Sequence, residues 1–204
     1  MECGISSSGA AARHMSAIDE QLSMKPGRAH LKITLRDVPL LIPYPAIEYS
    51  VGRIGIGYRS LLDDPAAIDE FPELFNEPDL KAFIAEVNGP GKAYETVRLV
   101  QGHEVLDAGM HRRRLMLGFM FRDRFEFQTL ASCYFFAMGF MQQSLRAADT
   151  FRGEPLLELQ PALLLLENDL RGWVMDLHLV GAGTSEDEAR RDLVRQFRNV
   201  PGLT

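Results

Sequence analysis

The stretch from Leu156 to Asn199 constrains the fold more than any other. Two apolar runs flank Glu167-Asn168-Asp169, and the second leads through Gly181-Ala182-Gly183 into Thr184-Ser185-Glu186-Asp187-Glu188. Leu156 to Leu166 is nearly continuous apolar, with leucine at every position from Leu163 to Leu166, which predicts a strand covered on both faces. Trp173, Met175, Leu177 and Leu179 then alternate with Val174, Asp176, His178 and Val180, the pattern of a strand with one wetter face. Ser185 with Glu188 three residues later forms a capping box. Beyond it Ala189, Leu193, Val194 and Phe197 share one side of a 3.6-residue period, so a helix docks on the sheet by that side. The whole reads as a ββα unit.

A hairpin whose second strand opens on Gly172-Trp173, a glycine turn at Gly181 and Gly183, and then Thr184, Asp187, Glu188 and Ala189 together resemble the HicB-type antitoxin domain. The resemblance covers the C-terminal part of the chain alone. Such domains carry a proline before the turn glycine, where this chain has Leu179-Val180, and a DNA-binding segment beyond the domain, where this chain ends at Thr204. The resemblance therefore implies neutralisation of a partner protein more than autorepression of an operon. The partner-binding positions expected on this reading are Trp173, Asp176 and His178 on the second strand and Arg191 and Arg195 on the helix.

Composition bounds the partners. At 204 residues and 46% hydrophobic, the chain has enough apolar material for one sizeable core or two small ones. A formal charge of −6 argues against nucleic acid as a partner, because phosphate binding favours a net basic surface, and suits a soluble enzyme or a partner of something basic, such as a toxin. Cys3 lies in a polar tail and Cys133 inside an apolar helix, so no disulfide is expected and the compartment reads as reducing cytoplasm. Residues 1–28 read as a leader outside the fold: Ser6 to Met15 resembles a vector-derived segment with Met15 as the natural start, and a natural disordered tail is the alternative.

From Ala29 the chain becomes strand-like. Leu31, Ile33 and Leu35 alternate with Lys32, Thr34 and Arg36, and Val38 to Ile42 continues to Pro43-Tyr44-Pro45. In Val51 to Tyr58 the glycines at 55 and 57 share a strand face; the spacing is not a dinucleotide fingerprint, and close backbone packing explains it. Asp64-Pro65 starts a helical turn, and Asn76-Glu77-Pro78 starts a helix in which Leu80, Phe83, Ile84 and Val87 share a face, stopped by Gly89 and Pro90. Tyr94 to Val100 and His111 to Phe121 read as strands, followed by an apolar helix from Thr129 to Ala147, a second ββα pattern. That helix is too short in its apolar run to span a bilayer, and Gln142, Gln143 and Arg146 close it. Ser132, Gly139 and Gln143 fall on one narrow side of it, a strip suited to close approach within the protein or across a dimer.

Candidate chemistry is sparse. His103, Glu104, Asp107 and His111 have the right atoms for a metal, but their spacing is not that of a helical metal motif, and a solvated turn with no metal is the expectation. Arg112 and Arg114 point one way on a strand and form a candidate anion patch, with a solvated strand edge as the plainer reading. Asp187 is placed to pair with Arg191 four residues on. The expected protein is α+β, mostly antiparallel strands packed against a few helices, one domain over 29–204 with sub-units at 29–150 and 155–204. The expected role is non-catalytic, an antitoxin or immunity protein without cofactor, capable of self-association. The alternatives are a small-ligand protein or enzyme with its pocket between the two ββα units, and a structural assembly subunit.

Overall fold

The computed structural model describes residues 32–44, 47–49, 53–55, 58–106, 109–146, 151 and 155–203. The expected leader, the first residues of the expected N-terminal strand, Gly57 and Asp107 lie outside these. The fold is α+β, built on a mixed, mostly antiparallel sheet of six strands in the order β1-β7-β8-β6-β5, with β2 also pairing β7. The strands are β1 (Lys32–Leu35), β2 (Leu40–Ile42), β5 (Tyr94–Val105), β6 (His111–Phe121), β7 (Leu156–Leu164) and β8 (Leu170–Gly183), while β3 (Ile47–Tyr49) and β4 (Arg53–Gly55) form a separate antiparallel pair. β1 and β2 run parallel to β7, one after the other along its outer edge; the remaining pairs of this sheet are antiparallel. Residues from the first half of the chain thus extend a sheet whose centre comes from the second half.

The β7–β8 register is set by its turn. Asn168 and Asp169 adopt φ of 54° and 55°, the left-handed region that these two residue types tolerate better than other non-glycines, and Leu170 N–H donates to Glu167 O at 3.1 Å. Leu164 then faces Leu170, and counting back from there sets Glu158 opposite Asp176.

Three longer helices cover one face of the sheet: α1 (Pro78–Val87), α3 (Leu130–Arg146) and α4 (Glu186–Arg198), with the short α2 (Arg124–Gln128) between β6 and α3. The expected faces are the buried ones. Leu80, Phe83, Ile84 and Val87 of α1, and Leu193, Val194 and Phe197 of α4, join Phe136 and Phe140 of α3 against Leu115, Leu117, Phe119, Leu157, Leu159, Met175, Leu177 and Leu179 of the strands. Aromatic contacts tie the layers, Phe83 to Phe197 at 5.7 Å and Phe119 to Phe136 at 5.2 Å between ring centroids. A Cβ at Gly181 would run into the Ala189 carbonyl, and one at Gly183 would lie 2.7 Å from Ala189 N. Those two glycines let the first turn of α4 sit directly on β8.

The two ββα patterns are present, β5-β6 with α3 and β7-β8 with α4, and they join through β6 and β8 into one sheet. Core side chains fill the seam: Leu117 stands beside Leu177 and Phe119 beside Met175. Three expectations need correction. β5 runs on to Val105, so Gln101 to His103 belong to a continuous hairpin and not to a loop. The alternate face of β8 is not wetter: Asp176 is 0% and His178 6% exposed. Ser132, Gly139 and Gln143 do not form a close-packed strip within the chain, since Ser132 is buried beside Glu126 while a Cβ at Gly139 would meet nothing within 4 Å.

Because β8 lies between β7 and β6, truncation after Asp169 removes the strand that unites the two halves of the sheet, along with α4. The 1–169 fragment is expected to be insoluble or to lack a cooperative melt by circular dichroism. A soluble fragment with a sharp thermal transition would show that β8 is dispensable to folding.

Candidate functional site

The face of the sheet opposite the long helices carries a second apolar cluster, Ile42, Val97, Met120, Phe127, Ala162, Leu164 and Val174, and beside it a line of charge. Arg98, Gly118, Asp176 and Glu158 stand side by side on four consecutive strands. Arg98 reaches this face because of a β-bulge: the β5–β6 register shifts between Thr96 and Arg98, so Val97 enters the second apolar cluster and Arg98 follows it to the same side. Gly118 leaves the gap across which the arginine extends. A Cβ there would come 2.5 Å from Arg98 Cγ and 2.7 Å from Asp176 Oδ1.

Across that gap Arg98 Nε donates to Asp176 Oδ1 at 2.8 Å and Nη2 donates to Asp176 Oδ2 and, at 2.6 Å, to Gln160 Oε1. Gln160 in turn donates to the Val38 carbonyl at 2.7 Å, anchoring the segment between β1 and β2. Glu158, 2% exposed, accepts from Arg36 and lies 3.2 Å from His178 Nε2. Burial alone would lower the pKa of Arg98, but the Asp176 charge and hydrogen bonds outweigh it and raise the pKa above the ordinary arginine value. The cluster is closed: the charges on β8 that the sequence offers to a partner are spent on Arg98 and Glu158.

At the tip of the β5–β6 hairpin Arg112 and Arg114 both donate to Glu104, the latter at 2.9 Å, so the expected anion patch already holds a carboxylate. Burial lowers the pKa of both arginines. β6 is not a sheet edge, since β5 and β8 flank it. Arg113, on the other side of the strand, ties the hairpin to two helices through Glu77, before α1, and Glu186 of α4 at 2.5 Å. His103 and His111 stack at 5.2 Å with Nε2 and Nδ1 3.0 Å apart. Glu104 turns toward Arg112, away from the histidines. Among the described residues, no three His, Cys, Asp or Glu side chains converge as a metal site. Burial pushes the Cys133 thiol up to about 12, so it is not a nucleophile at neutral pH.

An open site lies on the outer side of α4. Arg191, Arg195 and Arg198 line a groove of about 370 Å³ together with Val194, Asn199 and Asp79 of α1. Arg195 pairs with Asp192, and Arg198 pairs with Glu86 at 3.0 Å and lies 6.0 Å above the Phe83 ring. Asp187 pairs with Arg190 at 2.5 Å instead of the expected Arg191. The five expected partner-binding residues are therefore divided among three places. Asp176 and His178 are in the closed cluster, Trp173 packs against the helix-side core, and Arg191 and Arg195 line the groove.

Comparison with protein-family models, with curated proteins and with solved structures returns no match for this chain. Among the described residues no helix is long and apolar enough to cross a membrane.

Asp176→Ala is expected to lower stability by about 3–5 kcal/mol in urea denaturation, because Arg98 would be left buried without its counter-charge. Gly118→Ala should cost about 1–3 kcal/mol by forcing the pair apart. A joint Arg98→Met, Asp176→Leu change should recover most of the first loss; a double variant as unstable as Asp176→Ala would show that the pair itself is favourable.

Glu95 gives a pH signature. Burial raises its pKa above the ordinary 4.5, and its hydrogen bond and charge contact with Arg124 only partly offset this. The folded state thus holds the proton more tightly than the unfolded one, so the contribution is present at acid pH and lost as pH rises through the elevated pKa. Glu95→Gln should therefore gain on the wild type between about pH 4 and neutrality. Parallel melting curves over that range would refute the assignment.

Proposed function

We propose that this chain is a non-catalytic binding protein of the antitoxin or immunity class, which holds a partner protein through the outer face of α4. The groove lined by Arg191, Arg195 and Arg198 carries the proposal. Guanidinium groups on successive turns, with Val194 on the floor between them, suit carboxylates presented by a protein segment, since arginine forks pair with planar anions in two-pronged fashion. Arg195 and Arg198 already hold Asp192 and Glu86, so Arg191 is the guanidinium left to take a carboxylate, and the segment entering this groove presents one even where the rest of the partner is basic. The seating of α4 on Gly181 and Gly183 and the Ser185 cap, with Glu188 N–H donating to Ser185 Oγ at 3.2 Å, support the resemblance to the HicB-type unit. Action in a reducing cytoplasm agrees with the buried free thiol of Cys133.

The test is co-expression with the product of the adjacent gene. Growth arrest caused by that product should be relieved by the wild-type chain and not by an Arg191→Glu, Arg195→Ala variant with an unaltered melting profile. Relief that survives the double change would remove the groove from the contact. An adjacent product that the chain leaves fully toxic would remove the class.

A further inference from the structure

Among the described residues, the exposed side of α3 has no partner. Cys133, Phe136, Ala137, Phe140 and Ser144 face the core, and the opposite arc presents Phe135 at 78%, Leu145 at 69%, Met138 at 46% and Tyr134 at 40% exposure. Ala131, Gln142 and Arg146 complete that arc, so one charge interrupts it, at its C-terminal end. An apolar face on a helix already packed by its other side is more surface than the core needs. We infer that this face is where a second copy of the chain docks, by antiparallel packing of the two α3 helices about a two-fold axis near Gly139. This surface is separate from the α4 groove and does not rest on the function proposed for it.

Area and charge select the second copy. Taking about 200 Å² for a whole aromatic side chain and somewhat less for Leu and Met, the four exposed side chains present about 400 Å² of apolar surface. A standard interface buries about 800 Å² per partner, and homodimers are roughly 65% apolar, which asks for about 500 Å² from each. The four side chains supply about four-fifths of that, the flanking aliphatic and backbone atoms of the helix the rest, and a two-fold axis presents the patch to its own copy. The face offers no array of charge for a charged partner to match. Arg146 stands seven residues from Gly139, about 10 Å along the axis, so an antiparallel crossing separates the two guanidiniums by about 20 Å. Parallel packing would bring them together.

Gly139 supplies the independent point. Glycine in a helix interior costs stability relative to alanine, and among the described residues nothing lies within 4 Å of where its Cβ would be. At about 100° per residue Gly139 stands at the margin of the exposed arc, beside Phe135, Gln142 and Arg146, where the missing side chain lets a partner helix seated on Phe135 and Met138 approach more closely.

Analytical ultracentrifugation of the full chain tests this. The wild type should sediment at twice the 22.9 kDa chain mass at micromolar concentration. Phe135→Glu should sediment as a monomer with an unchanged thermal melt, and Gly139→Leu should retain the fold while weakening self-association at least tenfold. A wild type that stays at 22.9 kDa throughout overturns the proposal, whatever else then covers the face. A Phe135→Glu chain that remains fully dimeric also overturns it.

Discussion

The arrangement of the sheet depends on one buried contact, the pairing of Arg98 with Asp176 across Gly118. An ionised carboxylate with no exposure carries a desolvation penalty of several kcal/mol, and only a counter-charge with satisfied hydrogen bonds offsets it. Each neighbouring feature serves that requirement. The bulge at Val97 brings the arginine to the correct face, the glycine opens its path, and Gln160 occupies the remaining Nη2 proton and holds the segment after β1 in place. Such a pair adds little net stability over an apolar pair of the same volume, yet it penalises every register in which the charges do not meet. It specifies which residues of β5, β6 and β8 are neighbours, as the turn does for β7 and β8, and so fixes where α4 and its groove are held.

What was legible in the sequence follows from the range over which each cause acts. The helix faces of α1 and α4 and the Ser185 cap depend on residues a few positions apart, and they stand in the structure as the periodicity placed them. The alternation in β8 was legible too. What covered its polar side was not, because Arg98 is 78 residues from Asp176 and Glu158 is 20 from His178. One clue was present: Glu158 and Gln160 repeat with period two inside an apolar run, as Asp176 and His178 do, and a turn centred on Glu167 sets Glu158 opposite Asp176 with the others on the same face. Arg98 offered no such clue. Simple alternation puts it on the side of Tyr94 and Thr96, and only the bulge reverses that. The groove was legible in part, since Arg191, Arg195 and Arg198 recur at helical spacing, whereas Asp79 enters from a helix more than a hundred residues earlier.

Net charge proved a poor guide to local charge. The chain carries 28 acidic and 22 basic residues, yet much of this charge is consumed internally, with Glu104 holding two arginines and Arg113 holding two glutamates. What a partner meets is the remainder after these pairs close. At the α4 groove Arg195 is paired with Asp192 and Arg198 with Glu86, so the remainder is the Arg191 guanidinium, with Asp79 on the facing wall. Screening confines such a patch to a range of about 8–10 Å, so it acts on a segment that enters the groove more than on the partner as a whole.

The α4 groove and the exposed face of α3 are compatible as binding surfaces because they draw on different helices. The groove is lined by α4, the turn after it and the start of α1, and none of its residues belongs to α3. Pairing through α3 therefore leaves both grooves lined as they are, and a two-fold particle presents two of them. A partner with two acidic segments, or itself dimeric, then binds its second site at an effective concentration set by geometry, which raises overall affinity without new contacts at either groove. Modest grooves suffice under that arrangement, which fits a site made from a few arginines and one valine on an otherwise ordinary helix surface.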